Sequence, residues 1–314
     1  MAILADDLLS GVKRRISIPS NQVLLQDSDM LAIADAIIAS KLVPLFESVN
    51  QEYFVTRTNV PLVASVSEYD IPYRSVGRGL RDLKIKDSVT DQTYNRSLAK
   101  IAIEDIELVL GNSSTSGFYF IGDRIRLVPD VSSNIQSDIL EMWYRISPSR
   151  LVQTSEVSTV VSVGDTDIIV NSVPSTITTL TPIDFVQGRS GNRIYSTDIT
   201  PTAAAGTTIS FASGDIPDDL SAGDYISLAG YAPVATMIPN EAYSLLESLI
   251  SKRCLKAIGD FEGARELSED ISDEQKGLLK LIEPRIEGEP TVIVNRDGLV
   301  RGGRAGQRRW FYGA

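Results

Sequence analysis

Residues 118–129 read FYFIGDRIRLVP and carry the clearest local fold signal in the chain. Two apolar and aromatic runs flank the pair Gly122-Asp123, which suits the tight two-residue turn of a β-hairpin. Around this hairpin, residues 55–145 contain further short strand patterns, among them Tyr69-Asp70-Ile71-Pro72. The region is therefore predicted to consist of short strands, with one short helix over residues 104–110.

Helical patterns precede the strand-rich region. Apolar residues four apart over residues 4–16 predict a first helix, and the basic residues at its end suit the negative pole of a helix dipole. Asp27-Ser28-Asp29 predicts the start of a second helix, whose apolar face continues to about Tyr53. Pro44 lies inside that run, so we expect a kink there without a break.

Helical patterns return toward the C-terminal end. Pro239-Asn240 begins a segment with a wide apolar face, and Gly259 ends it. A second amphipathic run starts at Phe261 and stops before Pro284. Because a single glycine separates two such helices, we predict that they form an antiparallel pair.

Residues 151–232 differ in composition from the rest of the chain. They contain nine acids, two arginines, no lysine, and 23 serine or threonine residues. Short β-rich runs alternate there with turn pairs such as Gly164-Asp165 and Gly214-Asp215. This alternation predicts an all-β domain, a small sandwich or barrel, inserted between two parts of a helical body.

These patterns divide the chain into four parts. Residues 1–150 form the N-terminal part of the body, with helices and β-hairpins, and residues 151–232 form the inserted β-domain. Residues 233–284, the antiparallel helix pair, complete the body, and residues 285–314 form an extended basic and aromatic C-terminal arm. The predicted fold class is α+β: a helical body with short strands, the inserted all-β domain, and the arm.

The arm differs sharply from the rest of the chain in charge. From Arg296 onward there are five arginines and one acid, so this end carries +4, and the remainder of a chain with net charge −11 carries −15. Such a segment has too few apolar residues to fold alone, and we expect it to become ordered against a partner. Arginine and aromatic side chains are frequent protein-binding hot spots. The candidate docking residues are Arg301, Arg304, Arg308, Arg309, Trp310, Phe311 and Tyr312.

Residue usage excludes several common chemistries. The chain has no histidine, which removes Ser-His-Asp and Cys-His triads and histidine-ligated zinc. The single cysteine, Cys254, excludes an internal disulfide and a multi-cysteine zinc site, and its place on an apolar helix face is typical of a core thiol. We therefore expect no catalytic residue, no cofactor and no metal.

Charge and hydropathy also set limits on partners and location. A net charge of −11 disfavours a general role in gripping phosphate backbones. No apolar run reaches the 18 or so residues of a membrane span, and residues 1–7 carry acids where a signal peptide needs basic residues. We expect a soluble protein that is made in a cytoplasm, with no membrane partner.

Four short motifs have both a functional and a plain interpretation. Gly77-Arg78-Gly79 resembles part of a phosphate-binding glycine loop, but the spacing lacks a third glycine, and a turn is favoured. Asp165 with Asp167, and the pair Asp218-Asp219, are more typical of solvated turns than of calcium or sugar-cleaving sites. The arginine- and glycine-rich arm could bind nucleic acid, but it is short and its host is acidic, so protein docking is favoured.

Several of these segments resemble one known family. The helical run through Val43-Pro44-Leu45-Phe46 to Tyr53, the motif Tyr69-Asp70-Ile71-Pro72, the segment Leu80-Arg81-Asp82-Leu83-Lys84-Ile85, and residues 98–110 are similar to segments of the head-to-tail adaptor (connector or neck) proteins of tailed bacteriophages. The resemblance covers residues 27–145 and 239–314. The inserted β-domain falls outside it.

The resemblance implies a structural function without catalysis. In this family the subunits form a ring, about twelve copies, beneath the portal of the DNA-filled head, and join the head to the tail. It implies four further features for this chain: a homo-oligomer, an arm that docks on portal or on a neighbouring subunit, contact with a downstream tail or neck protein, and a lumen through which DNA passes without specific binding. The location that it implies is the virion, at the head–tail interface, after assembly in the host cytoplasm.

Two other interpretations stay open. One is another phage tail or baseplate protein with a glycan-binding β-domain. The second is a carboxylate-based glycan hydrolase, which needs a cleft with two acids about 5–10 Å apart. Residues 151–232 contain only five aromatic residues, which disfavours both sugar-directed alternatives.

Overall fold

A computed structural model describes residues 3–17, 25–86, 93–106, 117–128, 138–188 and 193–282, with the backbone alone for 93–97. Met1–Leu281 form one compact unit, and Ile282–Ala314 form a second, of which only Ile282 is among the described residues. The described residues have a mixed α+β fold, as predicted, with four helices and several antiparallel sheets, and none of these sheets closes into a barrel.

Four continuous helices, labelled as five segments because α2 and α3 form one helix, build a helical module from the two ends of the chain. Their bounds are α1 Ala5–Arg15, α2 Asp27–Ile37 continuing through a π-helical turn Ile38–Leu42 into α3 Val43–Val49, α4 Tyr243–Ile258, and α5 Phe261–Ile282. Helix α1 packs closely on α4. The space between them at Gly11 is so small that an added Cβ atom would lie 2.8 Å from the Tyr243 hydroxyl. Helix α5 runs back along α4, since Ser244 Oγ donates to Glu274 Oε1 at 2.5 Å across the Gly259 break.

Local signals explain where these helices begin and end. The Gln26 N–H donates to Asp29 Oδ2 at 3.1 Å, one half of a capping box that starts α2. Helix α3 ends at Val49 instead of the predicted Tyr53, because the Asn50 side chain accepts the Glu52 N–H at 2.9 Å and forms a turn. The helical path continues past Pro44, and the irregularity lies one turn earlier, in the π-helical turn.

Eight strands form a first β-module over residues 55–146. One sheet has the order β1-β8-β3-β4, and the other has the order β2-β7-β6-β5. The strands are β1 Val55–Pro61, β2 Glu68–Asp70, β3 Ser75–Lys86, β4 Thr93–Ser97, β5 Ala99–Lys100, β6 Gly117–Ile121, β7 Arg124–Val128 and β8 Ile139–Ile146. Leu83, Leu140 and Met142 of the first sheet share one buried core with Ile125 and Leu127 of the second. The hairpin predicted at Gly122-Asp123 is confirmed as β6–β7.

Seven strands form a second β-module over residues 158–228, in the order β13-β12-β16-β10-β11-β15-β14. They are β10 Ser158–Val163, β11 Asp167–Val170, β12 Ile183–Val186, β13 Ile194–Ile199, β14 Ala203–Ala205, β15 Thr208–Ser210 and β16 Tyr225–Leu228. Their core contains Ile168, Ile183, Phe185, Ile209 and Ile226, all fully buried. The β-rich runs at 157–163, 168–170, 183–186, 194–195, 207–211 and 225–228 predict every strand except β14, whose three alanines carry no β signal.

Three short segments connect the modules. They are residues 3–5, 150–152 and 231–235, which together we call the seam. Strands β9 Arg150–Leu151 and β17 Tyr231–Ala232 run parallel, and Leu4 bridges to Val234 on the other side. The chain therefore leaves and rejoins the rest of the unit at neighbouring points, on either side of the second β-module.

Some predictions need correction, and others fall outside the described residues. The barrel alternative for the second β-module is wrong within the described residues, because its sheet has open edges at β13 and β14. The first β-module has its own core and is more than a set of strands on a helical body. Of the helix predicted over residues 104–110, the structure shows a 3₁₀ turn at Ile103–Asp105, and 107–110 lie outside the described residues. The four-part division and the extended C-terminal arm stay predictions, since residues 283–314 are also outside.

Candidate functional site

A buried ion pair lies where the two β-modules meet. Arg74, which follows the predicted strand motif Tyr69-Asp70-Ile71-Pro72, places Nη1 2.7 Å from Asp184 Oδ2, and the two side chains are 4% and 0% exposed. Its Nη2 donates to Ser147 O at 2.9 Å and to Ser149 Oγ at 2.8 Å. Since Arg74 belongs to the first β-module and Asp184 to β12 of the second, this ion pair joins the modules directly.

Asp184 has a complete set of partners. Its Oδ2 also accepts the Gly230 N–H at 2.8 Å, and its Oδ1 accepts the Asp198 N–H at 3.0 Å. Burial raises the pKa of Asp184 above its ordinary value, and Arg74 and the two backbone N–H groups oppose that rise. Burial also raises the pKa of Asp198, again opposed by Arg74. The arrangement is that of a satisfied structural network.

A groove of about 740 Å³ lies beside this ion pair; we call it the junction groove. Strand β1 lines one side and β13 lines the other, and Tyr53, Tyr144 and Met237 also border it. Both strands stand at the ends of their sheets, so within the described part of the chain two unpaired sheet edges border one cavity. A cavity of this size is typical of small-ligand and peptide sites.

The backbone pattern of β1 shows which groups point into the junction groove. Ile146 N–H donates to Phe54 O at 2.9 Å, and Leu62 N–H donates to Asp138 O at 2.7 Å. Even-numbered residues of β1 therefore pair with β8, while Arg57 and Asn59 direct backbone N–H and C=O to the free edge. These groups could bond to an extended peptide or to a sugar.

Three tyrosines and two arginines border the junction groove, together with neutral polar and aliphatic residues. Arg57 Nη1 lies 2.9 Å from Glu141 Oε1, and Glu141 is buried and also accepts the Trp143 Nε1–H at 3.0 Å. Arg193 lies over the Tyr195 ring, 5.8 Å from its centroid. Among the described residues that line the groove, none is Asp or Glu. The geometry therefore suits binding of a polar or anionic group and offers no pair of acids for glycoside hydrolysis.

The predicted docking residues of the arm, from Arg301 to Tyr312, lie outside the described residues. Gly77 and Arg78, with φ of +64° and +55°, form a bulge within β3, and no helix follows them, so the turn interpretation fits. Asp219 pairs with Arg193 at 3.5 Å in an exposed turn. Within the described residues no cluster of three acids or thiols could hold a metal ion.

Cys254 has the environment of a core thiol. It is fully buried, and burial raises its pKa from 9.0 to about 11. Its sulfur is therefore almost entirely protonated at neutral pH, which suits packing better than nucleophilic chemistry.

Sequence patterns did not reveal the Arg74–Asp184 pair. The two residues are 110 positions apart, and long-range ion pairs leave no periodic signal. One clue was present: Asp184 interrupts the apolar run Ile183–Val186, in which every residue is buried. A charged residue inside such a strand needs a buried partner.

Comparison with protein-family models gives no match, and neither does comparison with curated proteins. Across the described residues, the structure contains no helix with the length and apolar character needed to cross a bilayer. The function must therefore be inferred from the chain itself.

Proposed function

We propose that this chain is a structural virion protein, a head-to-tail adaptor that forms a ring beneath the portal and joins the DNA-filled head to the tail. One observation carries the proposal. Helices from the two ends of the chain pack into one module, with Tyr243 Oη donating to Asp7 O at 3.2 Å across 236 positions. Helix α5, which precedes the C-terminal arm, joins the same module through Glu274, whose Oε1 lies 3.9 Å from Arg15 Nη2 of α1 and accepts the Ser244 hydroxyl of α4.

The proposed mechanism is geometric. A ring under a packaged genome has to hold its shape, and the Arg74–Asp184 pair fixes one β-module against the other. The arm, with its arginines and terminal aromatics, docks on portal or on a neighbouring subunit and adds avidity around the ring. A net charge of −11 repels DNA, so the genome passes through the lumen without binding. No catalytic step is assigned.

Truncation tests the arm. A chain that ends at Asn295 lacks all seven predicted docking residues, and we expect it to fold normally but to lose stable attachment to portal. The measurement is co-sedimentation with assembled portal or tailless heads. The matched variant Arg308→Ala with Arg309→Ala keeps the aromatics and should weaken attachment less, because exposed ion pairs contribute only about 0–1 kcal/mol each. Equal binding of the truncated and full chains would show that the arm is not the docking element.

A second candidate function is a tail or baseplate protein whose β-domain binds glycans. The junction groove favours it, since Tyr53, Tyr144 and Tyr195 border the same cavity as Arg57 and Arg193. Aromatic rings and guanidinium groups are suited to sugars that carry a carboxylate. Titration with acidic oligosaccharides should give saturable binding that Tyr195→Ala reduces at least tenfold. Absence of binding to a panel of acidic and neutral glycans would leave the adaptor proposal as the better one.

A further inference from the structure

A second groove, of about 730 Å³, lies between α2 and α4 in the helical module. Four cations line it: Lys41 from the π-helical turn, and Lys252, Arg253 and Lys256 from α4. Its floor is apolar and consists of Ile33, Ile37 and Leu249. We call this surface the basic groove.

The cations of the basic groove are unusual for this chain. They bring four positive charges together in a protein with net charge −11. Across the described residues, none of the four makes an ion pair or a side-chain hydrogen bond, although most other basic residues do. Lys41, Arg253 and Lys256 are exposed, and Lys252 is half-buried. Four unpaired like charges beside one another repel, so this surface is poised for an anionic partner.

Helix α5 carries the complementary surface. Glu262, Glu266, Glu269, Asp270 and Asp273 are all exposed, and their spacing places them on one side of the helix, opposite the buried Ala264, Ile271 and Leu278. We call the stretch of this side from Glu262 to Asp273 the acidic face; Lys276, whose Nζ lies 3.2 Å from Asp273 Oδ1, borders its end. It spans about 16 Å at the α-helical rise. Phe261, at its start, is 70% exposed and offers an aromatic side chain next to the acids.

We propose that the basic groove binds the acidic face of α5 from a second copy of this chain, with Phe261 seated on the apolar floor. The two surfaces are complementary in charge, and no ion pair joins them within one chain among the described residues. Two different surfaces of the same protein then meet, which is a head-to-tail contact, and repetition of such a contact closes a ring when the rotation allows it. This inference rests on the proposed ring, and it names the contact that builds the ring.

The pattern favours a protein partner over nucleic acid. A phosphate backbone needs cations but no apolar floor, whereas the basic groove combines its cations with Ile33, Ile37 and Leu249. An exposed phenylalanine flanked by acids supplies both parts of the complement. Aromatic anchors surrounded by charged rims are typical of protein–protein hot spots.

Charge reversal tests the contact. One variant changes Lys252, Arg253 and Lys256 to Glu, and the second changes Glu266, Glu269 and Asp273 to Lys. A third carries all six changes and keeps the net charge of the original chain. Sedimentation velocity gives the assembly state of each, free and with portal rings, and circular dichroism gives the helical content. All substituted positions are exposed or half-buried on helices, and Glu and Lys are good helix formers, so we expect folding to persist.

The original chain should form rings, and each three-residue variant should not, with self-association weakened roughly 100-fold or more by like-charge contacts. An equal mixture of the two variants should assemble again, because each reversed surface then meets its reversed complement. The six-residue variant should assemble alone. Phe261→Ser should also weaken assembly.

Three outcomes would overturn the inference, and they are distinguishable. If the original chain and both three-residue variants form the same rings, the contact lies elsewhere and the proposed function stands. If the original chain stays monomeric both free and with portal rings, the proposed function fails as well. If assembly is unaffected but binding of duplex DNA is lost only on reversal of the basic groove, its ligand is nucleic acid.

Discussion

Loss of the Arg74–Asp184 ion pair should be among the most damaging single changes in this protein. The perturbation is Arg74→Met, which keeps most of the side-chain volume and removes the charge. Asp184 would retain the N–H groups of Gly230 and Asp198 but would stay buried without a counter-ion. Ser147 O and Ser149 Oγ would lose their donor as well. Removing one partner of a buried pair costs about 3–5 kcal/mol, and we expect a loss in this range.

A matched control separates the effect of burying an ion pair from the effect of the distance between its atoms. Arg124 and Asp70 lie at the same N···O distance, 2.7 Å, but are 53% and 77% exposed. Arg124→Met should therefore cost only about 0–1 kcal/mol. Urea unfolding followed by far-ultraviolet circular dichroism gives both free energies. The double variant Arg74→Met with Asp184→Leu should be more stable than Arg74→Met alone, since no charge remains buried. Equal losses at both arginines, or a double variant no better than the single one, would refute the reasoning.

Three further predictions concern other buried groups. Burial raises the pKa of Asp35 from 3.8 to about 6, so its contribution to stability is fully present below about pH 4 and is lost as the pH rises through about 6. The melting temperature of Asp35→Asn, measured relative to that of the original chain, should therefore rise between pH 4.5 and pH 7.5. Equal pH profiles of the two chains would contradict the raised pKa of Asp35. Cys254 is fully buried, so a thiol reagent at pH 8 should react at least about 100-fold more slowly in the folded chain than in urea, because burial blocks access to the sulfur and also raises its pKa to about 11. Asp224 accepts hydrogen bonds from the Gly188 N–H, the Ser221 N–H and the Tyr195 hydroxyl. Asp224→Ala should therefore lower the free energy of unfolding by at least about 2 kcal/mol. Asp224→Asn keeps an acceptor for the Gly188 N–H and should lower the free energy of unfolding by less.

Features set by neighbouring residues were predictable from sequence. The start of α2 at Asp27, the Gly122-Asp123 hairpin and the helix break at Gly259 each depend on a few adjacent side chains or on one φ angle, which is +88° at Gly259. The strands of the second β-module are predicted by short β-rich runs that alternate with turn residues. Strand β14 is the exception, because it consists of alanines and carries no such signal.

Features set by distant residues were not predictable in the same way. The basic groove joins Lys41 to Lys252, Arg253 and Lys256, and neither part is conspicuous before the helices pack. The junction groove likewise needs two sheet edges to face each other. Because proline is a strong local signal, the sequence predicts a kink at Pro44, but the irregularity is a π-helical turn at Ile38–Leu42, which no residue pattern indicates. The arm, on which the functional prediction first depended, lies outside the described residues.

The seam has a consequence for biosynthesis. Ala5 N–H donates to Pro233 O, and Ala235 N–H donates to Ile3 O, so the first residues of the chain bond to residues made some 230 positions later. During translation α1 emerges early and cannot find α4 until both β-modules have been synthesised. The apolar side chains of Leu8 and Val12, fully buried in the finished protein, are exposed throughout that interval. Domains that emerge first generally fold first, so we expect the β-modules to fold before the helical module. A nascent chain that ends before residue 243 should therefore leave the apolar face of α1 unshielded.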